Sequence, residues 1–205
     1  MMRNDVIKPM HASRGRPKTI DYEATLDLAM KAYWSKGIDG MSVNEVCRLA
    51  KVSKPSLYRE FGNEDGLLQA VFQNYGNGFR KTVRYVLEKH DDFECSIDEL
   101  VDFMSYTRDE DISPKGCLGV KAYPSLERLG EKSRAALIVN NDKLLKIFEE
   151  WITRSSKTIN LASLSSINFA AEFVYSMFIH GMKMNALGDS PEKIRKVVIK
   201  VNKDE

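Results

Sequence analysis

Two helix-start signals that lie close together constrain the fold of this chain more than any other feature of its sequence. Ser42-Val43-Asn44-Glu45 has the form of a capping box, in which Ser42 is the N-cap and Glu45 is the third helical residue. Ser53 is followed by Pro55, which is typical of an N-cap with a proline in the first turn. The sequence therefore predicts a short helix, a tight turn at Lys51-Val52 and a second short helix.

The rest of the chain also has helical periodicity. Apolar residues at Leu28, Ala29, Ala32 and Tyr33 predict a helix from Asp21 that ends at Gly37. Further helices are predicted at about 64–90, 96–108, 131–156, 165–187 and from 191 to near the end, whereas "DEDISPKGCLG" is typical of a connection. Because no segment alternates with a period of two, we predict an all-α fold.

Charge is distributed unevenly along the 205 residues. Residues 1–63 contain 11 basic and 7 acidic residues, whereas residues 64–205 contain 20 and 22. This favours a basic nucleic-acid-binding head joined to a body with another role. The chain lacks an apolar run long enough for a membrane span and lacks a secretory h-region, so a cytoplasmic protein is expected. Cys47, Cys95 and Cys117 lack the spacing of a disulfide framework or zinc site, and no metal or cofactor is expected.

The second short helix has one apolar and one polar face. Leu57 and Phe61, four residues apart, are predicted to face the core. The other face presents the side chains Lys54, Ser56, Tyr58 and Arg59. Arginine can bind guanine through two hydrogen bonds, while the other groups reach phosphates or base edges, and Pro55 offers apolar surface to a thymine methyl. Double-stranded DNA is therefore the expected partner of this face.

The stretch "MSVNEVCRLAKVSKPSLYREFGNEDGLLQAVF" resembles the DNA-binding head of the TetR family of bacterial transcriptional regulators, over about residues 20–75. The resemblance implies a basic arm at 1–19, a three-helix helix-turn-helix domain at 20–65, and a larger helical domain for effector binding and dimerisation at 66–205. It also implies that a set of residues lies at the DNA surface: Ser42, Val43, Ser53, Lys54, Pro55, Ser56, Tyr58 and Arg59.

Three residues depart from the usual pattern of this family. Lys51 stands where a turn glycine is common, and a positive φ there would cost about 1 kcal/mol. Glu60 stands where histidine is frequent, and Glu64 replaces a lysine that contacts phosphate. Glu64 instead favours the start of its own helix.

The segment "SRGRPK" before the head has two interpretations. Arg14, Arg16 and Lys18 form a basic arm that suits a narrow minor groove, and the same composition is typical of a solvated tail.

The segment "INFAAEFVYSMFIHGMKMNAL" is apolar nearly all round, which predicts burial on two sides. One side faces its own domain, and the family resemblance implies that the other forms a homodimer interface together with the helix after Pro191. The expected interface residues are Phe169, Phe173, Val174, Met177, Phe178, Gly181 and Met182.

Aromatic and methionine residues of the body are compatible with an ordinary core or with a pocket for a small apolar or amphipathic effector. The candidate lining residues are Phe103, Met104, Tyr106, Cys117, Tyr123, Phe148, Trp151, Phe173 and Met177. The resemblance implies that such an effector releases the protein from DNA. Cys117, in an expected exposed connection near Lys115 and Lys121, is either a reactive sensor thiol or a small buried hydrophobe.

Two classes of DNA-binding function fit the sequence. The first is a dimeric, ligand-released repressor, and the second is a DNA-binding dimer without a small-molecule effector. An enzyme is not expected, because His11, His90 and His180 are scattered and no nucleophile or phosphate-binding motif is present.

Overall fold

The computed structural model describes residues 20–106, 114–156 and 166–200, and every regular element in these ranges is helical. The elements are α1 (Tyr22–Lys36), α2 (Val43–Ala50), α3 (Lys54–Phe61), α4 (Glu64–Glu88), α5 (Phe93–Ser105), α6 (Leu118–Ala122), a 3₁₀ helix (Tyr123–Arg128), α7 (Glu131–Ser155), α8 (Ile167–Ala186) and α9 (Pro191–Lys200). The predicted all-α class is confirmed. Within these ranges, no helix combines the length and apolar character that a bilayer span requires.

Helices α1 to α3 form a small unit, called the head below (residues 20–63). Its core contains Tyr33 of α1, Val46 of α2 and Leu57 of α3, which are all fully buried. Burial of a side chain such as Leu57 contributes about 1.5–3 kcal/mol. Tyr22 stacks on Phe61 with ring centroids 4.8 Å apart, which fixes the end of α3 against the start of α1.

Helices α5 to α9 form the body, and α4 belongs to both parts. Tyr75 of α4 meets Trp34 of α1, with ring centroids 5.0 Å apart, and Phe79 meets Phe103 of α5 at 6.1 Å. The head is thus attached to the body by a continuous helix of 25 residues.

Helices α4 and α7 lie side by side and run in the same direction. The Asn140 side chain donates to the carbonyl of Phe72 (2.6 Å), and Arg84 binds Glu150 (2.8 Å) further along both helices. Gly76 permits this close packing, because a Cβ atom there would lie 2.3 Å from the Asn140 side chain.

The start of α7 is capped by a side chain from α4. Its own N-cap residue, Gly130, has no side chain to do so. Asp65 instead accepts hydrogen bonds from the backbone N–H groups of Ser133 (2.9 Å) and Lys132 (3.1 Å) and from the Ser133 hydroxyl (2.6 Å). A Cβ atom on residue 130 would lie 2.3 Å from the Asp65 carboxyl carbon, so this arrangement requires glycine.

Most predicted helices agree with the structure to within two residues, but one helix and one connection differ. The helix predicted from residue 96 begins at Phe93, because Asp92 accepts a hydrogen bond from the N–H of Cys95 (2.8 Å) and caps the helix earlier. It ends at Ser105 rather than near 108. The predicted connection at 109–119 contains the start of α6, and its residues up to 113 lie outside the described ranges.

Replacing Asp65 with alanine is expected to lower the free energy of unfolding by about 1–2 kcal/mol at neutral pH, because α7 loses its cap. Asp91→Ala is the control, since Asp91 is exposed and an exposed substitution changes stability by no more than about 0.5 kcal/mol. Urea unfolding of both variants measures the difference. Equal stability of the two variants would contradict the capping role of Asp65.

The effect of Asp65 is also expected to depend on pH. Burial raises the pKa of Asp65, but the hydrogen bonds from Ser133 and Lys132 outweigh it and leave the pKa below its ordinary value. The carboxylate therefore contributes stability above its unfolded pKa of about 3.9, and this contribution is lost as the pH falls through the lower folded value. Unfolding curves from pH 7 to pH 3 should show that the difference in free energy of unfolding between wild type and Asp65→Ala becomes smaller as the pH falls.

Candidate nucleic-acid interface and effector cavity

Helix α3 is held by two apolar residues and presents polar side chains on its other face. Leu57 is fully buried and Phe61 nearly so, whereas Lys54, Pro55 and Arg59 are exposed. The hydroxyl of Ser53 caps the helix by accepting from the N–H of Ser56 (3.2 Å). The first turn of the helix is exposed, and a helix N-terminus favours an anion such as phosphate.

The charged groups of α3 are only weakly engaged within the chain. The Lys54 ammonium lies 5.4 Å from the ring centroid of Tyr58. The Arg59 Nε atom lies 3.6 Å from a carboxylate oxygen of Glu60, and both side chains are substantially exposed. An exposed pair of this kind contributes about 0–1 kcal/mol. Arg59 can therefore exchange Glu60 for another acceptor at little cost.

The N-terminus of α2 has the predicted capping box. The Ser42 hydroxyl accepts from the N–H of Glu45 (3.3 Å), and the Glu45 carboxylate accepts from the N–H of Ser42 (3.0 Å). These bonds to Ser42 hold the pKa of Glu45 below its ordinary value. Ser42 is exposed, but Val43 exposes only 4% of its surface. The assignment of the Val43 side chain to the DNA surface is therefore wrong, because this side chain belongs to the head core.

In the turn between α2 and α3, Lys51 has the positive φ that was considered for it from the sequence. Lys51 has a φ of 55°, in the left-handed region, and its N–H donates to the carbonyl of Arg48. Its side chain is exposed and adds a positive charge beside the start of α3. The other basic residues assigned to DNA, Arg14, Arg16 and Lys18, lie outside the described residues.

A cavity of about 330 Å³ lies between the head and the body. Among the residues predicted for a pocket, Phe103, Met104 and Tyr106 line it. Met30 and Trp34 of α1 also line it, so one wall belongs to the head. The sequence did not reveal these two residues, because a tryptophan and a methionine on the first helix of a head are equally typical of its core.

The other predicted pocket residues are dispersed. Cys117 and Tyr123 line a smaller cavity of about 50 Å³ on the other side of α4, and Phe173 and Met177 line a cleft of about 20 Å³ between α5, α8 and α9. Phe148 and Trp151 lie in the body core, with ring centroids 6.5 Å apart. The nine residues therefore do not form one pocket.

Cys117 is not in an exposed connection, and that expectation is wrong. Its thiol is buried at the N-terminus of α6, where 4% of the residue is exposed. Burial raises the pKa of Cys117, and the hydrogen bond with Tyr75 offsets this only in part. A buried thiol with a raised pKa is the opposite of what a reactive sensor requires.

The predicted interface helix α8 has one exposed apolar side. Phe169 exposes 48% of its surface and stacks on the half-buried Phe173, with centroids 6.4 Å apart. Val174 and Met177 are half-buried as well. Phe178, Gly181 and Met182 face the body core, where a Cβ atom on Gly181 would lie 2.6 Å from the Met104 sulfur. Their assignment to a subunit interface is therefore wrong.

The described residues contain no group of three or more His, Cys, Asp or Glu side chains arranged to hold a metal ion. The features present are a capped, polar helix on a three-helix head and a cavity beside it. These features define a helical protein with a helix-turn-helix head.

Comparison with known proteins identifies the family. Residues 26–71 match the family described as bacterial regulatory proteins, tetR family. The chain is 38% identical to the HTH-type transcriptional repressor ComR of Escherichia coli K12 over 78 residues, which are 38% of this chain and 37% of ComR. It is 34% identical to the repressor BdcR of the same organism over 70 residues, 34% of this chain and 36% of BdcR. These matches thus span little more than a third of either relative.

A solved structure extends the similarity to the body. The TetR family transcriptional regulator CifR, a cysteine mutant solved with operator DNA, superposes with a TM-score of 0.74 at 25% identity, covering 90% of this chain and 97% of CifR. The head therefore has the sequence of a TetR family DNA-binding domain, and the described chain has the fold of a TetR family regulator. This agrees with the sequence prediction that it is not an enzyme.

The two faces of α3 are expected to respond differently to truncation. Leu57→Ala should lower the free energy of unfolding by about 2–5 kcal/mol, because it leaves a cavity in the head core. Arg59→Ala on the exposed face should change it by no more than about 0.5 kcal/mol. Thermal unfolding of both variants tests this difference. A large loss of stability in Arg59→Ala would show that Arg59 is committed to the fold.

Proposed function

We propose that this protein is a sequence-specific, homodimeric transcriptional repressor that a small molecule releases from its operator. The observation that carries the proposal is the exposed face of α3. Lys54 and Arg59 lie there above the buried anchors Leu57 and Phe61, with no partner stronger than an aromatic ring or an exposed carboxylate. The relatives ComR and BdcR are transcriptional repressors, and CifR was solved with 26-bp operator DNA.

In this proposal α3 enters the major groove of the operator. Arg59 binds a guanine edge, while Lys54, Ser53 and Tyr58 bind phosphates near the start of the helix. The first turn of α2 donates backbone N–H groups to a neighbouring phosphate, next to Ser42. Ser56 and Pro55 complete the surface, and the predicted arm residues Arg14 and Arg16 add phosphate or minor-groove contacts.

A homodimer would present two such helices to two half-sites. The exposed side of α8 supports this assembly, because the Phe169 ring is 48% exposed and Phe173 and Met177 are only half-buried in the single chain. Helix α9 is held against α5 by Arg195, which binds Asp98 (2.8 Å) and Asp102 (2.6 Å), so it is fixed beside this side of α8.

The effector is proposed to bind in the cavity of about 330 Å³, which has the size typical of small-molecule sites. The presence of this cavity favours a ligand-controlled repressor over a DNA-binding dimer without an effector.

The role of Arg59 can be measured on an operator fragment recovered from genomic DNA by the protein itself. Arg59→Ala is expected to weaken binding to this fragment by about 1–3 kcal/mol while leaving binding to random duplex nearly unchanged. Lys54→Ala is the comparison, because loss of a phosphate contact weakens binding to both duplexes and reduces the salt dependence. Fluorescence anisotropy measures both. If Arg59→Ala weakened both duplexes equally, Arg59 would contact phosphate only.

The proposed dimer face can be tested by introducing a charge. Phe169→Glu is expected to shift the protein from dimer to monomer in sedimentation-velocity experiments, because a buried, unpaired carboxylate is unfavourable in an interface. Ile138→Glu on α7 is the matched control, since Ile138 is similarly exposed, at 51% against 48% for Phe169. A Phe169→Glu variant that remained dimeric would exclude this face.

A further inference from the structure

A groove of about 310 Å³ lies beside the start of α2, and both the head and the body line it. The head contributes Ser42 and Lys54, which the function proposed above places at or next to DNA phosphates. The body contributes Arg128, the last residue of the 3₁₀ helix. A basic side chain of the body therefore lies at the same groove as two residues proposed to meet the DNA backbone.

The backbone on both sides of Arg128 is fixed by contacts with the head and with α4. Ser125 donates its hydroxyl to Asp39 in the turn between α1 and α2 (2.7 Å). Gly130 lies against Asp65 at the start of α4, where a Cβ atom would be 2.3 Å from the carboxyl carbon. Arg128 stands between these two anchors, so its backbone is held at the end of the body that carries the head.

The guanidinium of Arg128 is only partly engaged within the chain. Its Nη1 atom donates to the Asp39 carboxylate. A guanidinium has five N–H donors, and the Arg128 side chain is 65% exposed. An exposed ion pair of this kind contributes little to stability. Arg128 can therefore bind a phosphate beside Asp39, or exchange Asp39 for it, at little cost.

The charges around the groove make this arginine necessary for an anionic partner. The described residues that line the groove include three carboxylates, Asp39, Glu45 and Glu64, and two cations, Lys54 and Arg128. Without Arg128, a phosphate at the start of α2 would face these carboxylates with one ammonium group in the lining. Arg128 adds a second positive charge and a planar pair of donors that matches phosphate oxygens.

We propose that Arg128 of the body binds a backbone phosphate of the DNA duplex next to the start of α2, so that head and body hold one duplex together. The occupant is a DNA phosphate rather than a free anion, because Ser42 and Lys54 at the same groove belong to the proposed DNA surface. A backbone contact adds affinity without sequence preference. The inference rests on the DNA binding proposed above, but it does not require that this binding be sequence-specific.

Removal of the Arg128 side chain tests the contact on the recovered operator fragment and on random duplex. Arg128→Ala is expected to weaken binding to both duplexes alike, by about fivefold or more at physiological salt. It should also reduce the slope of log affinity against log salt by about 0.9 for each lost phosphate contact. Arg128→Lys, which keeps the charge, should recover most of this slope. Fluorescence anisotropy measures the affinities.

Arg154→Ala is the matched control. Arg154 is also an exposed arginine (53%) that pairs with a carboxylate, that of Glu88. It lies near the other end of α7, about 35 Å from the start of this helix at 1.5 Å per residue. Its removal is expected to leave both the DNA affinity and the salt slope unchanged.

Asp39→Asn separates a phosphate contact from a purely structural role of Arg128. If Arg128 binds phosphate, this substitution frees the guanidinium and removes a repelling charge, so both duplexes should bind about twofold or more tightly. If Arg128 only holds the head through Asp39, the substitution weakens DNA binding, as Arg128→Ala does. Asparagine can still bond to the Ser125 hydroxyl, so that link between head and body is kept.

Unchanged affinity and salt slope in Arg128→Ala would overturn the inference, as would weaker binding in Asp39→Asn or an equal loss in Arg154→Ala. Thermal unfolding of each variant checks that the fold is retained. Equal affinity of wild type for the two duplexes would refute the proposed function, and the effect of Arg128→Ala on both duplexes would still decide on the phosphate contact. A wild-type protein that bound neither duplex would overturn both.

Discussion

The contact between the parallel helices α4 and α7 determines how the head lies on the body. At its start, the Asp65 carboxylate caps α7, and further along it Asn140 and Glu150 of α7 bind α4. Asp65 is the second residue of α4 and lies four residues after Phe61, the last residue of α3. Any shift of α7 along α4 would break this set of hydrogen bonds, and the position of α3 is therefore tied to the body by direct polar contacts as well as by chain connectivity.

A few buried residues hold α3 in the head, so that the polar face of this helix stays exposed. Leu57 and Phe61 hold α3, and the Ser53 cap satisfies part of its first turn. Because the buried face of α3 stabilises the head, the exposed side chains Lys54 and Arg59 are not needed for folding and are available to bind DNA. A second link, through Trp34 and Gly116, ties α1 to the body. Asp39 of the head also accepts a hydrogen bond from the Ser125 hydroxyl of the body (2.7 Å). Among these contacts, the link through Trp34 borders the cavity of about 330 Å³.

The parts of this structure that depend on local interactions could be predicted from the sequence. The caps at Ser42 and Ser53 and the strained turn at Lys51 each involve residues within three or four positions, where residue type and spacing are sufficient. The cap of α7 could not be predicted, because Asp65 is 68 residues from Ser133 and nothing in either segment specifies the other.

The cavity and the burial of single residues could not be predicted from the sequence for the same reason. Its wall combines Trp34 with Gly116, 82 residues away. Cys117 lies next to a glycine and near two lysines, a composition typical of exposed turns, yet α6 and the neighbouring helices bury it. In α8 the apolar pattern indicated two buried sides, but only packing shows that Phe178 and Met182 face the core while Phe169 does not.

We propose that the exposed face of α3 recognises a particular DNA sequence. The most direct measurement is the ratio of dissociation constants of the unmodified protein for its recovered genomic fragment and for random duplex of equal length, both at physiological salt. A fragment bound about 10³-fold or more tightly than random duplex is the result that the structure leads us to expect. Equal affinity for the two duplexes would contradict it.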